Sequence, residues 1–196
     1  QELIPDFFGI ADEAFRGGAR PAFGDLNNDG VPDLVVAAGF GGGPRVAIFD
    51  GASIRSGSTP VKLVADFFLF EQTLRNGVYI AGGDLDGDGF AEVIAGGGPG
   101  GGPRVVGLDG KSLVAGQLKE VVNFFAGDPA NRGGVRVTAK NLDNDNRADI
   151  LVGSGPGVPT RATAYAGSQV VGAIQPPELF SLDATLGAFA GGVFVG

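Results

Sequence analysis

Three short acidic stretches of the chain repeat one spacing of oxygen-bearing side chains. Counted from the first acid or amide of each stretch, these side chains fall at positions 1, 3, 5 and 9. They are Asp25, Asn27, Asp29 and Asp33; then Asp84, Asp86, Asp88 and Glu92; then Asn141, Asp143, Asp145 and Asp149. Neighbouring carboxylates repel one another unless a cation lies among them. The pattern therefore predicts that each stretch binds a cation.

The types of ligand in these loops indicate calcium. Alternate positions of a tight loop turn to the same side, and a backbone carbonyl at position 7 completes a shell of about six hard oxygens. The position 7 candidates are Val31, Phe90 and Arg147. Gly30 and Gly89 at position 6 permit a sharp bend, whereas the third loop has Asn146 there. We expect about three Ca²⁺ sites, with affinity falling in the order second, first, third.

Other kinds of site fit the sequence less well. An EF-hand needs a glutamate at position 12, where this chain has Val36, Ala95 and Val152. The glycine run at 96–101 is followed by a predicted strand, whereas a dinucleotide site needs a helix there. The chain contains no His and no Cys, which removes the commonest general base and the thiolate nucleophile. We expect no catalytic residues and no organic cofactor.

The acidic loops belong to three copies of a longer unit. Residues 24–51, 83–110 and 140–167 align without a gap, and an aromatic pair precedes each copy. The repeats span about 7–66, 67–123 and 124–179, with a partial fourth at 180–196, so the single repeat region is 1–196. Such self-similarity indicates an array of equivalent structural units that pack on one another.

Each unit has four short apolar runs that are typical of strands. One run precedes the acidic loop, one follows it, one follows a glycine-proline turn, and one leads to the next aromatic pair. We predict an all-β fold of β-propeller blades, each of four antiparallel strands, with a solenoid as the alternative. The three repeats leave an orphan strand at each end, around Leu3–Phe8 and Gly192–Gly196. We therefore expect self-association or further blades from a parent chain.

The overall composition limits the partners. The net charge of −8 argues against nucleic acid, and no apolar run approaches the length that membrane insertion requires. Because position 1 is Gln rather than Met, we expect a processed or excised piece of a longer product.

The loop pattern D-x-[DN]-x-D-G-x-x-[DE], followed by a strand and a Gly/Pro turn, resembles the FG-GAP or VCBS repeats of secreted bacterial proteins. This repeat type also builds the propeller of integrin α subunits. The resemblance implies Ca²⁺ at the blade loops, an extracellular or cell-surface location, and a binding or adhesive role. Asn141 and Asn146 depart from the pattern.

The sequence thus predicts a calcium-binding, non-catalytic β-propeller module for extracellular adhesion or protein–protein interaction. Its partner would be a protein or glycan ligand at the cell surface. One alternative is a lectin-like, carbohydrate-binding propeller, which shallow pockets with exposed aromatic residues would favour. Another is a polysaccharide-degrading enzyme on the same scaffold, which the lack of His and of an acid–base constellation outside the repeats disfavours.

Overall fold

The computed structural model describes residues 4–55, 59–183 and 189–196. Within these ranges the chain forms strands and single-turn helices in a strict order that recurs three times. The elements are β1 (Ala19–Gly24), β2 (Asp33–Ala38), β3 (Arg45–Phe49), α1 (Gly51–Arg55), β4 (Lys62–Phe68), β5 (Val78–Gly83), β6 (Glu92–Gly97), β7 (Arg104–Leu108), α2 (Gly110–Val114), β8 (Glu120–Phe125), β9 (Val135–Lys140), β10 (Asp149–Ser154), β11 (Arg161–Tyr165), α3 (Gly167–Val170) and β12 (Phe180–Asp183).

The strands form three four-stranded antiparallel sheets, one for each repeat, with the strands in chain order. This confirms the predicted all-β fold with four strands per repeat. The first strands of the sheets pack on one another, β1 against β5 and β5 against β9, so the sheets are arranged like the blades of a propeller. No helix of the described residues is long and apolar enough to cross a membrane.

The core lies between neighbouring sheets, because the second strand of each blade alternates its side chains between two neighbours. Val93 and Ala95 of β6 face the first sheet, whereas Ile94 between them faces the third sheet. All six residues of β6 are buried. A strand that is apolar on both faces in this way is expected only where it is covered on both sides.

The two ends of the chain differ from the prediction. Leu3 lies outside the described residues, and residues 4–8 form no strand; the Phe7 ring packs on Phe49 instead, with 5.2 Å between centroids. Residues 192–196 are also not a strand, although the N–H of Val193 donates to the carbonyl of Ser154 at 3.0 Å. A strand ladder needs a partner strand. Neither end segment has one among the described residues.

Candidate metal sites in the acidic loops

The three acidic loops lie in a row at one end of the sheets. Each connects the first strand of its sheet to the second, and neighbouring loops are joined by one recurring hydrogen bond. The N–H of Ala91 donates to the carbonyl of Asp25, and the N–H of Ala148 donates to the carbonyl of Asp84, both at 2.7 Å. The first loop has Pro32 at the equivalent position 8, which carries no N–H. The loops are therefore coupled from blade to blade.

Each loop is folded by its own side-chain oxygens. In the second loop, Asp86 accepts a hydrogen bond from the N–H of Asp88 at 3.1 Å, and Asp88 accepts one from the N–H of Phe90 at 2.9 Å. Positions 3 and 5 of the other two loops accept the same bonds from positions 5 and 7. The second carboxylate oxygen of Asp29 accepts from the Asn27 amide, and that of Asp88 accepts from Lys111. This ladder brings the position 7 residues Val31, Phe90 and Arg147 next to the position 5 carboxylates.

The bend of the loops involves a position that the sequence did not single out. Position 6 has a positive φ in the first two loops, +82° at Gly30 and +91° at Gly89, as expected. Position 4 is left-handed in all three loops, with φ values of 57° at Asn28, 81° at Gly87 and 63° at Asn144. Asparagine and glycine tolerate this conformation better than other residues. The third loop thus keeps one of the two left-handed positions even though Asn146 replaces glycine.

The carboxylates at position 9 are buried acceptors of backbone hydrogen bonds. Asp33, Glu92 and Asp149 have exposed fractions of 0%, 1% and 0%. Asp33 accepts from the N–H of Leu26 at 2.9 Å and from the N–H of Gly51 at 2.8 Å. The Asp149 carboxylate accepts equivalent bonds, and Glu92 accepts from the N–H of Leu85 in its own loop and from the N–H of Gly110. Position 9 therefore ties each loop together and also holds the first residue of the following single-turn helix.

Burial changes the ionisation of these acids. Burial raises the pKa of Asp33, against the hydrogen bonds from Gly51 and Leu26. Burial also raises the pKa of Glu92 to about 8, and the nearby carboxylates of Asp86 and Asp84 add to this effect. A cation nearby favours the ionised form of such groups. Burial and the crowded carboxylates of the second loop thus oppose ionisation of Glu92, and a bound cation would favour it.

The carboxylates of two loops converge. Three carboxylates offer oxygens within 4.8 Å of one another in the second loop and again in the third. The groups are Asp84, Asp86 and Asp88; Asp86, Glu92 and Asp109; and Asp143, Asp145 and Asp149. In the first loop the described residues form no such group of carboxylates; position 3 is there the amide Asn27, whose NH₂ donates to Asp29 at 3.0 Å. The donor sets of loops two and three consist of hard oxygens and fit a divalent cation such as Ca²⁺.

Asp109 belongs to one of these groups, although the sequence analysis did not identify it as a candidate ligand. Its carboxylate caps α2 by accepting from the N–H of Ser112 at 2.7 Å, and only 6% of the residue is exposed. The Asp-Gly pair after the third strand is the sequence signal for this cap. Lys111 lies beside the same loop, with its Nζ 3.5 Å from Asp88 Oδ2. Lys119 likewise pairs with Asp109 at 3.3 Å, so a metal ion in the second loop would meet one additional acid and two competing cations.

A cavity of about 400 Å³ lies at the opposite end of the third sheet. Ser154, Thr160, Thr163 and Tyr165 line it with hydroxyl groups, and Asp128, Glu178, Asp183 and Arg161 line it with charged groups. Thr160 is only 3% exposed, and its Oγ1 has no hydrogen-bond partner among the described residues. A buried hydroxyl without a partner is a costly arrangement that a bound ligand or water would relieve.

The second repeat fills the equivalent space with apolar side chains. Phe70 and Leu74 of the linker before the second sheet pack into the core, and Gly127 and Asn131 replace them in the linker before the third sheet. The four cavity hydroxyls also replace residues without a hydroxyl group. Their counterparts are Ala38 and Gly97 for Ser154, Pro44 and Pro103 for Thr160, Ala47 and Val106 for Thr163, and Phe49 and Leu108 for Tyr165. At this place the third repeat therefore has hydroxyl groups where the second repeat has buried apolar side chains.

Comparison with known proteins agrees with the fold. Residues 25–95 match the family model of FG-GAP-like repeats, which confirms the predicted repeat type over that part of the chain. No curated protein matches the chain. The solved structures that match include the crystal structure of rhamnogalacturonan lyase YesW, with 17% sequence identity and a TM-score of 0.52. The alignment covers 86% of this chain and 34% of the lyase, so this chain spans about a third of the lyase's length. At this identity the likeness concerns the fold alone.

Proposed function

We propose that the chain is a calcium-binding module, because residues 25–95 match FG-GAP-like repeats and the sheets are arranged like propeller blades. The convergence of three carboxylates in loop two, and of three in loop three, supports this most directly. Positions 1, 3, 5 and 9 would supply side-chain ligands, and the residue at position 7 would supply a carbonyl. A bound Ca²⁺ would offset the repulsion within each loop and link the first two strands of each sheet. Three ions would bring the formal net charge from −8 to −2.

The role that we propose for the module is extracellular adhesion or protein–protein interaction, without catalysis. The chain offers neither His nor Cys. Acids outside the loops, such as Asp66, Glu71 and Glu178, pair with arginines rather than with one another. The partner would be a protein or glycan at the cell surface, and we also propose self-association with a second copy of the chain.

Loop two is expected to bind Ca²⁺ most tightly, because it has four carboxylates in the motif and Asp109 nearby. In isothermal titration, Asp86→Ala should remove the tightest binding phase, whereas Asp29→Ala and Asp145→Ala should remove weaker phases. Asp6→Ala, an exposed acid outside the loops, serves as the matched control and should change nothing. The ranking is wrong if Asp145→Ala abolishes the tightest phase.

The cavity of the third repeat supports a second candidate function, a lectin-like module that binds a carbohydrate. Sugars present hydroxyl groups that both donate and accept, and the cavity provides hydroxyl groups, carboxylates and one guanidinium. Its volume of about 400 Å³ suits a small ligand rather than a polymer chain. This candidate and calcium binding involve opposite ends of the third sheet, so they do not exclude each other.

Filling the cavity is expected to abolish any glycan binding that a glycan array detects. Asn131→Leu restores the residue type of Leu74 in the second repeat, and Thr163→Val restores that of Val106. Either change should weaken binding at least about tenfold, because each removes a polar partner from a buried site. Thr138→Val, a hydroxyl outside the cavity, is the control. A glycan that binds all three variants equally would show that it binds elsewhere.

A further inference from the structure

Four side chains at equivalent positions lie close together. Three of them are near the starts of β1, β5 and β9, and the fourth is in the segment 192–196. Each lies two residues after a glycine with positive φ, at Gly18, Gly77, Gly134 and Gly192, with φ values of 75°, 72°, 64° and 81°. The side chains that follow are those of Arg20, Tyr79, Arg136 and Phe194. Two cations thus alternate with two aromatic rings along the repeats. We call these four residues the axial cluster.

The members of the axial cluster are in direct contact. The guanidinium carbon of Arg20 lies 3.9 Å from the Tyr79 ring centroid, and that of Arg136 lies 5.2 Å from the same centroid. Arg136 also lies 4.8 Å from the Phe194 ring, and the two rings meet edge to face at 5.9 Å. The rings therefore hold two positive charges near each other, because the face of an aromatic ring attracts cations.

No carboxylate of residues 4–55, 59–183 and 189–196 forms an ion pair with either of these two charges. Among the described residues, Arg45, Arg104 and Arg161 each pair with an acid, but neither Arg20 nor Arg136 does. Arg136 is only 6% exposed; its Nη1 donates to the Ser154 carbonyl at 3.1 Å, and its Nε has no partner. Nη1 of Arg20 is likewise buried without a partner. The chain has 22 acids and 14 bases, so acids are in excess. Two guanidinium groups that contact the same ring and pair with no acid of the described residues therefore carry an uncompensated desolvation cost.

Two guanidinium nitrogens of the cluster, Arg20 Nη1 and Arg136 Nε, are buried donors that a ligand would satisfy. An aromatic ring covers the face of a guanidinium, whereas the N–H donors point outward in its plane. Such edges bind the oxygens of a carboxylate, sulfate or phosphate group through charge-assisted hydrogen bonds. Phe194 is 73% exposed, so the cluster is open to solvent on that side.

We propose that the axial cluster is a binding site for one oxyanion group, held by the unpaired donors of Arg20 and Arg136, both of which contact the Tyr79 ring. The site is separate from the acidic loops, because it lies at the start of the innermost strands whereas the loops begin at their far ends. It would let an otherwise acidic module bind a carboxylate or sulfate group of a ligand.

The test measures binding of sodium sulfate and of sodium acetate to the whole chain in calcium buffer, with chloride keeping the ionic strength constant. The readouts are isothermal titration and the ¹⁵N resonances of arginine Nε. Saturable binding of either anion to the unmodified chain is expected, with the Arg136 Nε resonance shifting. Comparison of the two anions shows whether the site prefers a carboxylate or a sulfate group.

Variants distinguish a specific site from a general salt effect. Arg20→Gln and Arg136→Gln should each weaken binding at least about tenfold, because each removes a charge-assisted donor. Arg132→Gln, an exposed arginine outside the cluster, should bind like the unmodified chain. Arg136→Lys keeps the charge but loses the planar edge, so it should bind weakly, and it replaces Arg136→Gln if that variant fails to fold. Equal binding by Arg20→Gln and Arg132→Gln, or no saturable binding of either anion, would overturn the proposal.

Discussion

Calcium is expected to raise the melting temperature of the chain strongly, and EDTA to lower it. A ligand that binds only the folded state stabilises it by RT ln(1 + [L]/Kd), which is about 2.7 kcal/mol per site at 100 times Kd. Three such sites would add roughly 8 kcal/mol to the free energy of unfolding. For a domain of this size that corresponds to a shift of roughly 15–30 °C. Differential scanning calorimetry with and without Ca²⁺ measures it.

The control for this result is a variant in which the position 5 carboxylate of every loop becomes an amide. Asp29, Asp88 and Asp145 are all replaced by Asn. It keeps the size of each side chain and part of the loop hydrogen bonding, but removes one carboxylate per site. Its melting temperature should respond much less to Ca²⁺. Mg²⁺ should stabilise the unmodified chain less than Ca²⁺, because it requires a tighter, more regular shell. A melting curve that does not respond to chelation would contradict the calcium proposal.

The strands could be predicted from the sequence because their pattern is local and is repeated three times. Runs such as Glu92–Gly97 are short, apolar and bounded by turn residues, and their burial on both faces follows from packing between neighbouring sheets. The single-turn helices could not be predicted in this way. The helix of Gly110–Val114 has only five residues, too few for a 3.6-residue periodicity to appear. Only the Asp109 cap indicated where it begins.

The candidate site was predictable to the extent that it depends on local spacing. Positions 1, 3 and 5 lie together because hydrogen bonds within one loop fold it. The role of position 9 depends on a distant partner, since Asp33 accepts from Gly51, which is 18 residues away. The cavity and the axial cluster involve several repeats at once. Their residues stand out only when equivalent positions are compared, such as Gly127 with Phe70, or Arg20 with Tyr79.

The burial of Asp33 makes it the acid whose loss should most destabilise the chain without metal. Its two oxygens accept from Leu26 and Gly51 in a fully buried place, so Asp33→Ala leaves both backbone N–H groups without a partner. Each unsatisfied buried group costs about 1–3 kcal/mol, so the expected loss in EDTA is about 2–6 kcal/mol. Urea denaturation followed by circular dichroism measures this loss.

Asp29→Ala is the matched control, because Asp29 lies in the same loop but its hydrogen bonds are exposed. In EDTA it should cost less than about 1 kcal/mol, since water replaces the lost partners. Asp33→Asn should fall between the two, because the amide keeps one acceptor oxygen while its NH₂ group faces a second donor. In saturating Ca²⁺ the two alanine variants should become more alike, since each removes a proposed ligand of the same ion. If Asp33→Ala and Asp29→Ala cost the same in EDTA, position 9 does not stabilise the loop by itself, and its burial serves metal binding alone.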